Sequence, residues 1–486
     1  MPAGVQPLGI DAEAQQHATQ EMSSTRRRAI VLAVCASLGL ALGMVAHFAS
    51  GGRPVGAGRA AKFAFPGLPP NLLHQQGRLY DASEAYPRTA ISGGFPGQPS
   101  GPARLFSPTF SGQPTLRSPT ELQSTAVDDI DTHGSVMTLS RYMIEQARES
   151  EDMQEMESLM TSIQFATKTI ASLVARAGIQ DLTGLEGGGG SVNVQGEEQK
   201  KLDVIANTVM KNALRYSGKV GVVGSEEEEE PVLVEETYNG RYAAVFDPLD
   251  GSSNVDAAIS TGTIFGVYDE GDSEGCVLSE EDQEGMTPDQ LQCLTQTLQP
   301  GKRLVAAGYC MYSSSTIMVL TLGSGVNGFT LDPNIGEFVL THPNIKMPKR
   351  GKIYSINEAN EPDWNPTLRE YISNLKRGKG ESGEKYSARY IGSMVGDIHR
   401  TLLYGGIFGY PGDAQNPNGK LRLVYEGAPM SFIIEQAGGK STTGSQRVMD
   451  ISPKDVHQRV PVFLGSPDDI DEVTKLYEKA GLKTEY

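Results

Sequence analysis

The chain has 486 residues, more than the roughly 100–200 typical of one domain, which predicts two or more compact units plus tails. Its net charge of −17 argues against a nucleic-acid-binding protein, because neutralising phosphates takes a surplus of Lys and Arg. Four cysteines exclude a disulfide-dense secreted scaffold. Any anionic ligand must therefore be held by a local cationic pocket or by metal ions.

The N-terminal 130 residues have the composition of a targeting leader. Residues 29–49 are almost wholly apolar and follow three arginines, so they suit either a signal peptide or a retained membrane anchor. Both alternatives stay open, and we assign residues 1–50 to this segment. Residues 51–130 are predicted to be a disordered, transit-like leader, because Gly, Pro, Ser and Ala dominate and arginines outnumber acids.

The remaining chain alternates between helical and strand patterns. Apolar residues spaced i, i+3, i+4 predict amphipathic helices over 136–150, 158–178 and 202–218, with Gly178 and Gly218 as C-caps. Strands bounded by Gly, Pro and Asp are predicted over 231–236, 241–247, 261–269, 303–312 and 316–323. Helices return over 367–375, 396–403, 429–437 and 468–480. This mixture predicts a layered α/β architecture with a large buried sheet, in two halves, 131–330 and 331–486.

Two irregular stretches interrupt the first half. Residues 183–196 contain four consecutive glycines, which fit a surface linker or a mobile lid over a site. Residues 269–300 carry nine acidic residues and neither Lys nor Arg. That second stretch is predicted to be an exposed, self-repelling loop.

The segment 245–254, VFDPLDGSSN, carries the most specific chemical pattern. Asp247 and Asp250 leave a strand end across a Pro-containing turn, so both can point at one ion. Gly251, Ser252 and Ser253 follow with successive N–H groups and hydroxyls, a concavity suited to phosphate. Mg²⁺ favours one or two carboxylates plus substrate phosphate. The pattern therefore predicts a metal-assisted phosphate site rather than a simple capped turn.

Other acidic residues can complete this cage. They lie at a predicted strand end or behind the glycine-rich stretch: Glu226, Glu227, Glu197 and Asp203. The rest of the glutamate run, 228–230, is predicted to be solvated. In residues 419–426, alternation with a period of two places Lys420 and Arg422, and by extension Glu426, on one strand face.

At these residues the chain resembles the fructose-1,6-bisphosphatase family. The similarity runs from about Met137 to the C-terminus and includes FDPLDGSSN, GKLRLVYE, ARYIGSMVGDIHRTLLYGGIF and AAGYCMYSSS. It implies a layered α/β/α/β/α sugar-phosphatase fold with two mixed sheets. It also implies a homotetramer that hydrolyses the 1-phosphate of fructose 1,6-bisphosphate with two or three Mg²⁺ ions per subunit, for which Mn²⁺ can substitute.

The resemblance also implies a role for each matching residue. The implied metal ligands are Glu226, Glu227, Asp247, Asp250, Glu426 and the carbonyl of Leu249. The implied catalytic residues are Asp203, which is paired with Glu227 and activates the attacking water, and Glu197 on the flexible loop. The implied substrate-binding residues are Gly251, Ser252, Ser253 and Arg422 at the 1-phosphate, and Asn357, Tyr390, Met394, Tyr410, Lys420 and, from a neighbouring subunit, Arg389 at the sugar and 6-phosphate.

The acidic stretch resembles the cysteine-bearing insert of the plastid form of this enzyme, which thioredoxin reduces. Cys276 and Cys293 match two of that form's three cysteines, and Leu298 stands at the third position. A redox disulfide between Cys276 and Cys293 and activation by thiol reduction are thus implied; two unpaired surface thiols are the alternative. Cys310 lies in an apolar strand and is predicted to be a core thiol. The two-part leader resembles that of algae whose plastids are reached through the secretory route.

Three other interpretations remain open at this stage. Sedoheptulose-1,7-bisphosphatase activity, alone or in addition, is the nearest, because few residues contact the sugar. A non-catalytic sugar-phosphate sensor is a second, and it predicts an incomplete metal cage. A membrane-anchored form is a third, and it requires that residues 29–49 be retained.

Overall fold

The structure is a computed structural model that describes residues 136–150, 152–186, 199–234, 240–269, 294–483 and 486. The leader, Glu197, Cys276 and Cys293 lie outside the described residues. Within those residues, we find no helix that combines the length and the apolar character needed to cross a membrane.

The larger sheet has eight strands among the described residues: β1 (Val220–Ser225), β2 (Val232–Leu233), β3 (Tyr242–Asp250), β4 (Thr261–Asp269), β5 (Leu304–Tyr312), β6 (Thr316–Thr321), β7 (Asn327–Asp332) and β8 (Glu337–His342). Their order is β2-β1-β3-β4-β5-β6-β7-β8. β1 and β3 are parallel, and every other neighbouring pair is antiparallel. The sheet is therefore mixed, as the family resemblance implies.

Three helices cover one face of this sheet: α1 (Leu139–Glu149), α2 (Asp152–Val174) and α3 (Lys201–Ser217). Apolar residues of α2 and α3, such as Ile163 and Met210, share a buried cluster with Phe246 of β3. The alternate β3 residues Ala243 and Val245 belong to a second cluster on the opposite face. Both faces of β3 are thus buried, which explains why all nine of its residues are buried.

The smaller sheet has five strands in the order β10-β9-β11-β15-β13: β9 (Ile353–Ser355), β10 (Ser387–Ala388), β11 (Ile407–Tyr410), β13 (Lys440–Thr442) and β15 (Val462–Gly465). A separate pair is formed by β12 (Leu421–Arg422) and β14 (Arg459–Val460). The remaining helices are α4 (Pro366–Arg377), α5 (Met394–Tyr404), α6 (Ala428–Gln436) and α7 (Pro467–Lys479). α5 and α6 pack between the two sheets, while α4 and α7 cover the outer face of the smaller one. The predicted α/β/α/β/α layering is confirmed.

Three predicted elements differ in the structure. The stretch 269–300 was predicted to be an exposed loop, but its end is wrong: residues 294–297 are helical and residues 296–300 are buried. The helix predicted over 158–178 begins earlier, at Asp152, and ends at Val174, because the following N–H groups of Arg176 and Ala177 bond three residues back and tighten the chain into turns. Of the strand predicted over 419–426, only Leu421 and Arg422 form a strand, and the prediction is wrong for the other residues. The strand stops after Arg422, and residues Leu423–Gly427 form a π-helix.

Candidate active site

A β-bulge at the end of β3 brings two carboxylates together. Asp247 pairs with Ile264 and Asp250 with Gly262, so β3 advances three residues while β4 advances two. Residues three apart on a regular strand face opposite sides of the sheet, and the extra residue cancels that reversal. Thr263 donates a 2.8 Å hydrogen bond to the carbonyl of Pro248, which holds the bulge. Both aspartates are buried.

Glu426 joins these aspartates from the π-helix. Its carboxylate accepts a hydrogen bond from the backbone N–H of Arg422. One carboxylate oxygen from each of Asp247, Asp250 and Glu426 lies within 4.8 Å of the other two. The N–H of Ala428 bonds to the carbonyl of Leu423, five residues back, and this bond closes the wider turn of the π-helix. The π-helix, and not strand alternation, therefore directs Glu426 into the cluster.

The turn after β1 supplies Glu226 and Glu227. The N–H of Glu226 bonds to the carbonyl of Phe246 at 3.2 Å, which places it beside Asp247 on the neighbouring strand. Arg422 Nη2 lies 3.4 Å from Glu226 Oε1 in a mostly buried ion pair. Glu227 accepts a 2.6 Å hydrogen bond from Gln199. Glu226 thus joins the buried cluster, while Glu227 faces the segment that precedes α3.

The electrostatics of this cluster favour a cation. Burial, followed by the charge of Glu426, raises the pKa of Glu226 to about 8 and that of Asp250 to about 7. Burial and the charge of Glu226 raise the pKa of Asp247 well above its ordinary value. Poorly hydrated carboxylates that repel each other gain most from a shared divalent cation. The donors are all oxygens, which fits Mg²⁺.

Asp203 stands next to this cluster at the first turn of α3. It is 4% exposed, and its Oδ2 accepts a 2.8 Å hydrogen bond from the N–H of Lys200. Burial raises its pKa to about 7, with the Lys200 hydrogen bond acting in the opposite direction and the charge of Glu227 adding to the increase; Ser252 also bonds to it. A carboxylate that ionises near neutral pH beside metal-type ligands can accept a proton from water.

The turn after Asp250 has the shape of an anion site. Gly251 has φ of 72°, a left-handed conformation that favours glycine, and it begins the short 3₁₀ helix Ser252–Ala257. Ser252 is half-buried, and Ser253 is exposed. The N-terminus of α5 adjoins this turn, since the N–H of Val395 donates to Asp250 Oδ2 at 3.1 Å.

The residues that the resemblance implies for sugar binding differ in exposure and in their contact with the acidic cluster. Tyr390 and Tyr410 are neighbours, and each is partly exposed. Burial raises the pKa of both, that of Tyr390 to about 12. The charge of Tyr410 adds to the increase for Tyr390, and the charge of Glu426 adds to that for Tyr410. Met394 is buried at the start of α5. Lys420 is exposed, and Asn357 caps the 3₁₀ helix Glu358–Asp363. Arg389 is exposed and donates to the carbonyl of Ala388 at 2.8 Å, so within one subunit it is not drawn into the cluster.

Sequence reasoning missed the groups that hold the glutamate turn. Glu228 is not a solvated residue: its carboxylate accepts hydrogen bonds from Asn207 at 2.8 Å and Lys211 at 2.6 Å. Ser225 Oγ donates to Asn207 and accepts the N–H of Glu227. Asn207 and Lys211 are four residues apart and so share one face of α3, a spacing that could have indicated a common partner.

Comparison with known proteins agrees with this geometry. A family model described as "Fructose-1-6-bisphosphatase, N-terminal domain" matches residues 137–343, and one described as "Fructose-1-6-bisphosphatase, C-terminal domain" matches residues 347–478. The "Fructose-1,6-bisphosphatase, chloroplastic" of Brassica napus is 56% identical over 340 residues, which are 70% of this chain and 81% of that protein. The protein of the same name from Spinacia oleracea is 54% identical over 342 residues, again 70% and 81%.

A solved structure gives the same picture in three dimensions. Leishmania major fructose-1,6-bisphosphatase in holo form superposes with a TM-score of 0.63 at 44% sequence identity. The match covers 71% of this chain and 99% of that one.

Proposed function

Because this chain belongs to the fructose-1,6-bisphosphatase family, we propose that it hydrolyses the 1-phosphate of fructose 1,6-bisphosphate to fructose 6-phosphate and phosphate in plastid carbon fixation. The observation that supports this most directly is the buried cluster of Asp247, Asp250 and Glu426, adjoining the Gly251 turn. A non-catalytic sensor would not need these carboxylates, whose burial and mutual repulsion destabilise the metal-free protein.

The proposed cofactor is Mg²⁺, in two or three sites per subunit, with Mn²⁺ as a substitute. Its ligands would be Glu226, Glu227, Asp247, Asp250, Glu426 and the carbonyl of Leu249. When bound there, the ions would polarise the phosphoryl oxygens, lower the pKa of a water and stabilise the leaving alkoxide.

The protein's own residues then position the groups and move one proton. Asp203, with its pKa of about 7, is the proposed acceptor of the proton from the attacking water, on a carboxylate oxygen. Burial is the main cause of that raised pKa, and the nearby charge of Glu227 adds to it. Glu197, which lies outside the described residues, is proposed to assist from the loop that precedes α3.

Substrate binding is proposed to use both ends of the sugar bisphosphate. The N–H groups and hydroxyls of Gly251, Ser252 and Ser253, together with Arg422, would hold the 1-phosphate. Asn357, Tyr390, Met394, Tyr410 and Lys420 would hold the sugar and 6-phosphate, with Arg389 supplied by a neighbouring subunit of a homotetramer. Binding at the remote phosphate would orient the one that reacts.

Regulation by a dithiol is the second part of the proposal. Thioredoxin would reduce a Cys276–Cys293 disulfide, and closing a loop of that size constrains the chain by about 3 kcal/mol. Tyr242 pairs with Asp269 and Asp250 with Gly262, so the acidic stretch leaves β4 at the end opposite the metal ligands. At 3.3 Å per residue the two ends are roughly 25 Å apart. Oxidation would act either along β4 and β3 or through the other end of the stretch, where Thr297 lies against Gly224 of β1, two residues before Glu226.

We expect Cys293→Ser to abolish redox control while leaving the reduced activity intact, because a single remaining loop thiol has no partner. Phosphate release is measured after oxidation and again after dithiol. Cys310→Ala is the matched control: this thiol is buried in β5, and its removal should leave the switch in place. A Cys293→Ser protein that is still activated several-fold by dithiol would contradict the disulfide assignment.

The activity is tested by phosphate release from fructose 1,6-bisphosphate and from sedoheptulose 1,7-bisphosphate, with Mg²⁺ and with or without dithiol. We expect the fructose substrate to be hydrolysed faster. Comparable or higher rates on the sedoheptulose substrate would assign a dual or different specificity. Reduced protein that releases phosphate from neither substrate would contradict the proposal.

The two plant relatives named above are described as chloroplastic, which supports a plastid location. The proposed entry through the secretory route is supported only by the composition of the leader.

A further inference from the structure

His457 connects the two segments that carry the acidic residues on opposite sides of the cluster. Its Nε2 lies 3.0 Å from the carbonyl oxygen of Glu228, in the turn that follows Glu226 and Glu227. Its Nδ1 lies 2.8 Å from the hydroxyl of Tyr425, the residue before Glu426. A neutral imidazole with its hydrogen on Nε2 satisfies both contacts, donating to the carbonyl and accepting from the hydroxyl.

Each end of this connection is itself fixed. On one side, the side chain of Glu228 is bound by Asn207 and Lys211 of α3, the helix that also carries Asp203. On the other side, the segment containing His457 is paired by backbone to the start of the π-helix, where the N–H of Leu423 donates to the carbonyl of Gln458 at 2.7 Å.

This connection adds a directional contact between two sides of the cluster that also share a hydrophobic core, in which Tyr425 packs with Val245 of β3. Glu226 is registered against Asp247 by the β1–β3 pairing, but Glu426 comes from a different layer of the fold. The like charges of Glu226 and Glu426 repel, and the Arg422–Glu226 ion pair opposes that repulsion at 3.4 Å. His457 adds a hydrogen-bonded connection whose edge-to-face contact with the Tyr425 ring, at 5.8 Å between centroids, fixes its orientation.

We propose that His457 is a positioning residue for the metal centre, setting the separation between the Glu226–Glu227 turn and Glu426 before a cation binds. The inference rests on the proposed function, since it assumes that these carboxylates bind divalent metal. Groups that orient metal ligands without touching the ion typically change metal affinity 10–100-fold when they are removed, so the expected effect is on metal affinity and not on the chemical step.

The test measures Mn²⁺ binding to chelator-treated protein by calorimetry, and, separately, the Mg²⁺ concentration for half-maximal phosphate release. His457→Phe keeps a ring against Tyr425 and removes both nitrogens; we expect about tenfold weaker Mn²⁺ binding and a similar shift in the Mg²⁺ requirement. The kcat at saturating Mg²⁺ and the KM for substrate should change little. His457→Gln retains a donor for the Glu228 carbonyl and should recover most of the affinity.

A control variant and a second variant distinguish a loss of metal positioning from a failure to fold. His342→Phe makes the same change on β8, at the far edge of the larger sheet, and should leave Mn²⁺ binding unchanged. If His457→Phe does not fold, Tyr425→Phe breaks the same connection from the other side and should weaken binding in the same direction. Unchanged Mn²⁺ affinity in these variants, with or without a lower Tm, would overturn the positioning role. Wild-type protein that binds no Mn²⁺ would instead overturn the proposed function.

Discussion

Asp250→Asn is expected to abolish hydrolysis and, at the same time, to raise the melting temperature of the metal-free protein. Asp250 is buried among like charges, and burial with the charge of Glu426 raises its pKa to about 7. An amide removes one repelling charge and keeps an oxygen that can accept the N–H of Val395. It also removes a proposed metal ligand, so kcat/KM should fall by about 10³-fold or more.

The stability change is the more unusual half of this prediction. Most substitutions of buried residues destabilise a protein, whereas relieving a buried uncompensated charge stabilises it. For a domain of roughly 350 residues, a stabilisation of about 1 kcal/mol corresponds to an increase of about 1–2 °C in Tm. Thermal unfolding with chelator and with excess Mg²⁺ measures both effects, and the variant should gain much less from the metal than the wild type.

Asp332→Asn is a suitable control. Asp332 is the last residue of β7 and is partly exposed, and its Oδ1 accepts the N–H of Asn334 at 2.8 Å. The same change there should leave activity intact and should not raise Tm. If Asp250→Asn destabilises the metal-free protein, or retains most of the activity, then Asp250 is not a strained metal ligand.

The DPLD segment shows how far sequence reasoning reaches. The two aspartates, and the glycine and serines after them, were identifiable from residue type and spacing. Their convergence depends on the bulge in the β3–β4 pairing, and a bulge is defined by a partner strand that the spacing within one segment does not specify. The chemistry was therefore predictable locally, while the geometry required the second strand.

Glu426 and Glu228 mark where sequence reasoning failed. Period-two alternation predicted a strand through residues 419–426, but residues Leu423–Gly427 form a π-helix, and all five of them are buried in the core. Glu228 was predicted to be solvated together with residues 229 and 230, and contact with Asn207 and Lys211 of α3 distinguishes it from them. Both errors have one cause: tertiary partners that are distant along the chain override the local pattern.

Without metal, the protein is expected to become less stable as the pH rises from about 6.5 to about 8. Asp203 and Asp250 have their pKa raised to about 7 and Glu226 to about 8, chiefly by burial. In the unfolded chain these groups ionise near pH 4, so across this window the folded state holds protons that the unfolded state has already lost. Stability then falls by about 1.4 kcal/mol per pH unit for each retained proton.

Below pH 6.5, the ionisation of His399 changes stability in the direction opposite to that of the carboxylates. Burial lowers the pKa of His399 to about 4, so its contribution to stability rises with pH between about 4 and 6.5 and is complete above that. Denaturant unfolding at several pH values, with chelator and with excess Mg²⁺, measures the slope.

Metal should reverse or flatten this slope, because a bound cation favours the ionised ligands in the folded state alone. Asp250→Asn should make the metal-free slope shallower by the fraction of a proton that Asp250 retains, which falls from most of a proton near pH 6.5 to very little near pH 8. If the chelator-treated wild type loses no stability over this window, the carboxylates ionise with their ordinary pKa values. They would then be too far apart, or too well hydrated, to form the cation site on which the proposed hydrolysis depends.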